Sequence, residues 1–121
     1  MKIFGNSQWY QGSDKNSEVK SDGTVVGTMT QNLVTGSRAN NVTYQNTTGK
    51  IMYVSIVTNG TTANTSNAKC DAGSPPTTTV ASQSGQNLWD RHIFFIVLPN
   101  FYYRVSYDGT APTILLWVEW Y

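Results

Sequence analysis

The best candidates for a functional site in this chain are aromatic side chains that lie beside polar ones. Such residues are suited to binding a ligand. Trp89 is followed directly by Asp90 and Arg91, and Trp9 and Tyr10 lie in a similarly polar stretch. An aromatic ring packs on the apolar C–H face of a sugar, while carboxylate and guanidinium groups bond hydroxyls or an acidic substituent. We predict these five as ligand-binding residues; the alternative is that the indoles close the ends of the fold.

Catalytic chemistry has little support in the residue types present. The single histidine, His92, begins the most apolar segment, where a structural role is the simpler interpretation. One histidine and one cysteine, Cys70, do not supply the usual ligands of a zinc site. No spacing of the carboxylates pairs two of them as glycoside hydrolysis requires. We predict no catalytic residue, no metal and no cofactor, and we interpret Cys70 as a small inert residue.

The length and net charge of the chain limit the classes of partner that it can bind. The 121 residues suit a single domain with one core. Hydrophobic residues make up 39% and charged residues 12%, and the formal net charge of +1 lacks the basic stretch of a nucleic-acid-binding protein. No run approaches the ~20 apolar residues of a membrane-spanning helix, and the first residues lack the apolar core of a signal peptide. We expect no nucleic acid partner, no membrane insertion and no signal peptide.

The elements that must position these residues are predicted to be short β-strands. Ile51–Thr58 and His92–Leu98 are runs of strand formers with apolar side chains on both faces. Phe101–Tyr107 alternates apolar and polar positions, as a half-buried strand does, and Thr113–Tyr121 closes the chain as a strand. No segment has a helical period. We predict an all-β fold, an antiparallel, jelly-roll-like β-sandwich of roughly seven to nine strands.

The segment Ser37–Thr58 is predicted to be a hairpin. Val42, Thr43 and Tyr44 favour a first strand, and Asn46–Gly49 follow as the turn, in which Gly49 is free to adopt a positive φ. The second strand would then be Ile51–Thr58. The rest of the chain can be arranged around this pair.

The polar segment that follows is predicted to be mostly loop. Residues 59–86 consist largely of Thr, Ser, Asn, Gln, Gly, Ala and Pro, and Pro75-Pro76 cannot lie inside a central strand. We expect one short strand at Thr77–Val80, and we expect Thr61–Gln86 to be the least ordered segment. The whole chain, 1–121, is interpreted as a single sandwich domain in which 1–20 form a less regular N-terminal arm.

Strands that are apolar on both faces also predict an assembly. Such strands are covered on both faces, by a second sheet or by another subunit. Because one sandwich core of this size does not cover both faces of Ile51–Thr58 and His92–Leu98, we predict a homotrimer that buries the second face along its axis.

Several motifs, taken in order, resemble the C-terminal receptor-binding (head) domains of bacteriophage tail fibres and related tail proteins. An Asp-Gly turn precedes a Val strand, an arginine precedes a Tyr-x-Asn-x-Thr-Gly-Lys turn, an apolar strand ends at proline before an aromatic strand, and a Trp-x-Glu strand ends the chain. Asn100 stands where such domains have glycine, but asparagine accepts the same left-handed conformation. The motifs are Ser21–Val26, Arg38, Tyr44–Lys50, Val97–Val105 and Trp117–Glu119.

This resemblance implies a specific function, which the amino-acid composition alone does not indicate. It implies a homotrimer displayed on a virion tail with other tail proteins, assembled in the host cytoplasm, which attaches to a host-surface glycan or protein. It implies no particular ligand, because the loops of such domains vary. Two alternatives remain: a free-standing carbohydrate-binding, lectin-like β-sandwich without a virion role, and a small glycan-cleaving domain.

Overall fold

The structure is a computed structural model that describes residues 29–59, 64–85 and 89–121. The chain divides into two compact units, residues 1–30 and residues 31–121. The second unit contains the β-sandwich. The predicted N-terminal arm, with Trp9 and Tyr10, and the Ser21–Val26 motif lie outside the described residues.

Eight strands are present within the described residues, and they form two four-stranded antiparallel sheets. Sheet one has the order β1-β8-β3-β6 and sheet two has the order β2-β7-β4-β5. The helical content of the described chain is a 3₁₀ turn at Thr35–Ser37, and no helix there has the length and apolarity needed to cross a membrane. The strands are β1 (Gln31–Leu33), β2 (Tyr44–Gln45), β3 (Met52–Thr58), β4 (Asn64–Asp71), β5 (Thr79–Gly85), β6 (Arg91–Val97), β7 (Tyr102–Asp108) and β8 (Ile114–Trp120).

The strand pairing is nested. β1 pairs with β8, β2 with β7, β3 with β6 and β4 with β5, as in one long hairpin. Rolling this hairpin over two sheets brings β3 beside β8 and β4 beside β7, which are also paired. Eight strands rolled in this way are the arrangement of a jelly roll. The predicted antiparallel, jelly-roll-like sandwich is therefore confirmed.

The core lies between the sheets and is built by alternation along the strands. In β3 and β6 every second side chain is buried, as the two-residue period of a strand requires when one face packs inward. A fully buried aliphatic or phenylalanine side chain contributes about 1.5–3 kcal/mol, so these rows supply much of the driving force. The buried apolar side chains of the two strands are Met52, Val54, Ile56, Ile93, Phe95 and Val97.

Ser37–Thr58 does not form the predicted hairpin. β2 pairs with β7, whereas β3 pairs with β6 and β8, so the connection between β2 and β3 crosses from one sheet to the other. The buried Asn46 fixes this crossing, because its Nδ2 donates to the carbonyls of Lys50 at 2.7 Å and Val97 at 3.0 Å. These bonds tie the turn to the end of β6. The positive φ predicted for Gly49 is confirmed, at 78°.

The prediction that residues 59–86 are mostly loop is wrong, because β4 and β5 lie within this segment. On β4 the small side chains Ser66, Ala68 and Cys70 face the core, and polar side chains alternate with them. A strand that packs small residues against large ones of the opposite sheet needs little hydrophobicity of its own. Burial raises the pKa of the Cys70 thiol to about 11, which fits an inert residue.

The connection between β4 and β5 is organised by one carboxylate. Asp71 Oδ1 accepts a hydrogen bond from the Gly73 amide at 2.8 Å, and Oδ2 accepts bonds from the amides of Thr77 at 2.8 Å and Thr78 at 2.9 Å. These amides hold the pKa of Asp71 well below its usual range. The Pro75-Pro76 pair lies in this connection, outside any strand, as its lack of amide hydrogens predicts.

Candidate functional site

A charged cluster lies in the interior between the sheets. The side chain of Glu119 on β8 is 0% exposed and accepts four hydrogen bonds. Arg38 donates two of them, from Nε to Oε2 and from Nη2 to Oε1, each at 2.8 Å. The Tyr103 hydroxyl donates at 2.8 Å and Trp117 Nε1 at 3.0 Å, both to Oε2. The cluster joins both sheets to the segment that connects β1 with β2.

The electrostatics of this cluster are those of a closed ion pair. Hydrogen bonding to Glu119 raises the pKa of Arg38, whose guanidinium carbon also lies 4.7 Å from the centre of the Tyr44 ring. Burial, followed by the negative charge of Glu119, raises the pKa of Tyr103 above its usual range. Because its oxygens are occupied by donors and shielded from solvent, this carboxylate has a structural role. No cluster of three potential metal ligands occurs among the described residues.

The residues that carry the family resemblance serve this scaffold. Arg38, Trp117 and Glu119 form the interior cluster, and Asn46 forms the buried turn bonds. Asn100 has a φ of 68°, the left-handed conformation expected where glycine usually stands. These motif residues therefore have structural roles in the described fold.

Three of the five predicted ligand residues, Trp89, Asp90 and Arg91, lie at the start of β6. The side chain of Trp89 is 73% exposed, and Asp90 beside it is also exposed. The end of β3 and the start of β8 lie at the same end of the sandwich, because Thr58 pairs with both Arg91 and Ile114. An accessible indole and an accessible carboxylate are thus neighbours in the chain at this end of the sandwich.

Arg91 is not placed with them. Its side chain is 2% exposed and points toward the interior, where Nη1 lies 3.4 Å from the carbonyl oxygen of Asn59. Alternation explains this, because Arg91 has the parity of the buried residues Ile93 and Phe95 on the same strand. The structure therefore places Trp89 and Asp90 at the surface and Arg91 in the interior.

The outward side of sheet one is apolar. We call it the apolar face, and it includes Leu33, which is 68% exposed, and the stacked rings of Tyr53 and Phe94, whose centroids lie 6.2 Å apart. A polar pair interrupts it, since Ser55 Oγ lies 2.8 Å from His92 Nε2. Contiguous apolar surface on a sheet is typical of an interaction site. Its apolar members are Leu33, Tyr53, Val57, Phe94, Ile96, Leu116 and Trp120, whereas Val118, which has the same parity, is buried.

The outward side of sheet two has the opposite chemistry. We call it the polar face; cross-strand pairs such as Thr65 with Ser84 and Ser82 with Asn67 are hydrogen bonded at 2.9 Å. Sequence analysis identified the outward direction of Arg104 but missed its neighbours on β4, because that strand was interpreted as loop. The alternation of small and polar residues over Thr65–Cys70 was the available signal. The polar face comprises Gln45, Thr65, Asn67, Lys69, Asp71, Ser82, Ser84, Tyr102, Arg104 and Ser106.

Comparison with known proteins adds no assignment. Neither a protein family nor a curated protein matches the chain. A fold of this kind hosts many functions, so the functional argument rests on the surfaces and their residues.

Replacing Glu119 with glutamine tests the interior cluster. Glu119→Gln leaves the Arg38 guanidinium without its counter-charge and places an amide group against existing donors, so we expect the free energy of unfolding to fall by about 3 kcal/mol. Chemical denaturation measures this. Asp108→Asn, at an exposed carboxylate, is the control and should stay within about 0.5 kcal/mol of the wild type. If both variants lost the same free energy of unfolding, the buried ion pair would contribute no more to stability than an exposed carboxylate.

The raised pKa of Tyr103 predicts a loss of stability in alkali. Below about pH 10 both the folded and the unfolded chain hold the phenolic proton. Above that pH the unfolded chain releases it while the folded chain retains it, so the free energy of unfolding falls by at most about 1.4 kcal/mol per pH unit. Tyr103→Phe should show a shallower decline between pH 10 and 12, and the Cys70 thiol affects both proteins alike. Parallel declines would contradict this assignment.

Proposed function

We propose that this chain is a non-catalytic attachment domain of the bacteriophage-tail kind, which binds a glycan or protein on a host surface and assembles as a homotrimer. The observation that carries the proposal is the exposed indole of Trp89 next to an exposed carboxylate. Indole rings are large apolar groups that folding tends to bury, and an accessible one gives a partner a flat apolar contact. Asp90 supplies acceptors for hydroxyl protons beside it.

The apolar face supports the assembly part of the proposal. Three strands of seven residues and one of three, spaced about 4.8 Å apart, give a flat footprint of roughly 380 Å². A stable contact buries roughly 800 Å² on each partner, so the flat footprint is about half of that area. The face carries no lysine, arginine, aspartate or glutamate on β3, β6 or β8, which suits contact with further copies of the same surface.

Assembly and attachment reinforce each other in this proposal. A single aromatic contact with a sugar is weak, and three copies on one trimer engage a repetitive surface together. Once one site is bound, the others bind at high effective concentration, so avidity exceeds the affinity of any single site by about 10²-fold or more. A trimer that hides the apolar face leaves the start of β6 and the polar face to solvent.

The Trp89→Ala variant tests the attachment site. Because the indole is largely exposed, the variant should fold with a free energy of unfolding within about 0.5 kcal/mol of the wild type. Its binding to a panel of bacterial surface polysaccharides and cells should fall at least about tenfold. Val80→Ala, which trims an exposed side chain on β5, is the matched control and should bind normally.

Two results would contradict this site. A variant that loses its fold would show that the indole belongs to the core, and a folded variant with unchanged adsorption would place the site elsewhere.

Charge introduced on the apolar face tests the trimer. Phe94→Lys combined with Ile96→Lys places two cations on outward positions of β6, and we expect a folded monomer where the wild type sediments as a trimer at micromolar concentration. Ser84→Lys on the polar face is the control and should remain trimeric. A wild-type chain that stays monomeric at tens of micromolar would disprove the assembly.

The exposed Trp89 also fits a free-standing, lectin-like sandwich without a virion role. Both functions predict loss of sugar binding in Trp89→Ala, so binding alone does not separate them. The neighbouring genes do, because tail and lysis genes should flank a tail domain. Release of reducing sugar from a host polysaccharide would instead favour a glycan-cleaving domain.

A further inference from the structure

Two cations lie side by side in the middle of the polar face. Lys69 on β4 and Arg104 on β7 are directly opposite each other, and these are the two central strands of sheet two. Facing side chains in such a pair have Cβ atoms about 5 Å apart, and like charges there are destabilising. Neither side chain forms a hydrogen bond or an ion pair with another described residue. The fold therefore holds an unneutralised positive pair at this point.

The nearest carboxylates do not neutralise the pair. Asp71 follows Lys69 by two residues on the same face, but its oxygens are bonded to three amides of the β4–β5 connection. Asp108 lies at the far end of β7, opposite Thr65, and makes no ion pair with Arg104. Asp71 is therefore an ionised carboxylate of the polar face that forms no ion pair with Lys69 or Arg104, and the two cations are partly exposed to solvent.

Neutral hydrogen-bonding groups and an aromatic ring flank the pair. On one side Asn67 faces Ser106, and the amide oxygen of Asn67 is already occupied by the Ser82 hydroxyl at 2.9 Å. That bond orients the Asn67 amide group, whose Nδ2 donates to no described residue. On the other side Tyr102, whose ring is partly exposed, faces Asp71 across the strands. Donors, a ring and two cations thus form one continuous surface.

We propose that Lys69 and Arg104 bind the anionic group of an acidic saccharide, a carboxylate or a phosphate. The guanidinium fork bonds two oxygens of such a group and the ammonium adds a point charge, so the anion relieves the repulsion between the two cations. Asn67 and Ser106 bond neighbouring hydroxyls, and the ring of Tyr102 packs on a sugar face. The saccharide part of this inference rests on the proposed attachment function and gives its ligand a chemical class.

The experiment titrates the protein with three probes of matched size: trigalacturonate, which carries carboxylates, a glycerol phosphate trimer, which carries phosphates, and neutral maltotriose. We follow the backbone amide shifts of β4 and β7 by NMR and the affinity by calorimetry. At least one anionic probe should shift these amides, and maltotriose should not. The double variant Lys69→Gln with Arg104→Gln should bind about tenfold or more weakly. The probe that binds identifies the anionic group.

The melting temperature of the double variant provides a second readout. If Lys69 and Arg104 had a purely structural role, their replacement would lower the melting temperature. Because the double variant removes a like-charge contact, its melting temperature should equal or exceed that of the wild type. Lys50→Gln removes a cation from the turn before β3 and is the control; it should bind the anionic probes as the wild type does.

Three results would overturn this inference: no shift with either anionic probe, equal shifts with maltotriose, or undiminished binding by the double variant. Adsorption separates it from the proposed function. If the double variant adsorbs to cells normally while Trp89→Ala does not, attachment stands and the anion site is wrong. Probe binding that depends on Lys69 and Arg104, in a protein that adsorbs to no cell, would leave the anion site and disprove attachment.

Discussion

The interior carboxylate of Glu119 imposes the strictest constraint on this sandwich. A charge removed from water costs several kcal/mol unless partners replace its hydration. Here the partners come from the β1–β2 connection, from β7 and from β8 itself: Arg38, Tyr103 and Trp117. Their donor atoms converge only when both sheets are in register and the connection crosses at the right place. An arrangement with the strands shifted by one residue would leave the carboxylate unpaired, so the cluster favours one packing over its neighbours.

The packing of the two sheets also determines which side chains lie on the outer surface of the sandwich. Nested pairing fixes the parity of every strand, and a shift of one residue would exchange the core side chains with the outward ones. On β3, β6 and β8 the outward parity carries Tyr53, Phe94 and Leu116, whereas on β4 and β7 it carries Lys69 and Arg104. The sandwich therefore has one outward side that disfavours water and one that favours it. The proposed roles of the two sides, assembly for one and ligand binding for the other, rest on this difference.

Sequence patterns predicted those strands that contain large apolar residues at the two-residue period of a β-strand. The alternation of Phe101–Tyr107 gave a correct strand and its inward face, and the two-sided apolar runs located the strands β3 and β6. β4 was missed because Ser66, Ala68 and Cys70 bury small side chains that carry little hydrophobic signal. The hairpin was wrong because crossing between sheets depends on bonds from Asn46 to the distant Val97 carbonyl, which no local pattern contains. For the candidate site, Trp89 and Asp90 were accessible as expected, whereas the interior position of Arg91 depended on strand parity, which begins at that residue.

The apolar face affects the solubility of newly synthesised chains. Until it is covered, the face exposes Phe94 and Ile96 on β6, an edge strand of its sheet. Exposed hydrophobic surface beside unpaired strand edges makes an unassembled species prone to aggregation. Association into the proposed trimer and aggregation both accelerate with concentration, but only association ends when the face is covered. The yield of soluble protein should therefore depend on the rate of synthesis relative to folding, and slow expression at low temperature is the condition that this surface favours.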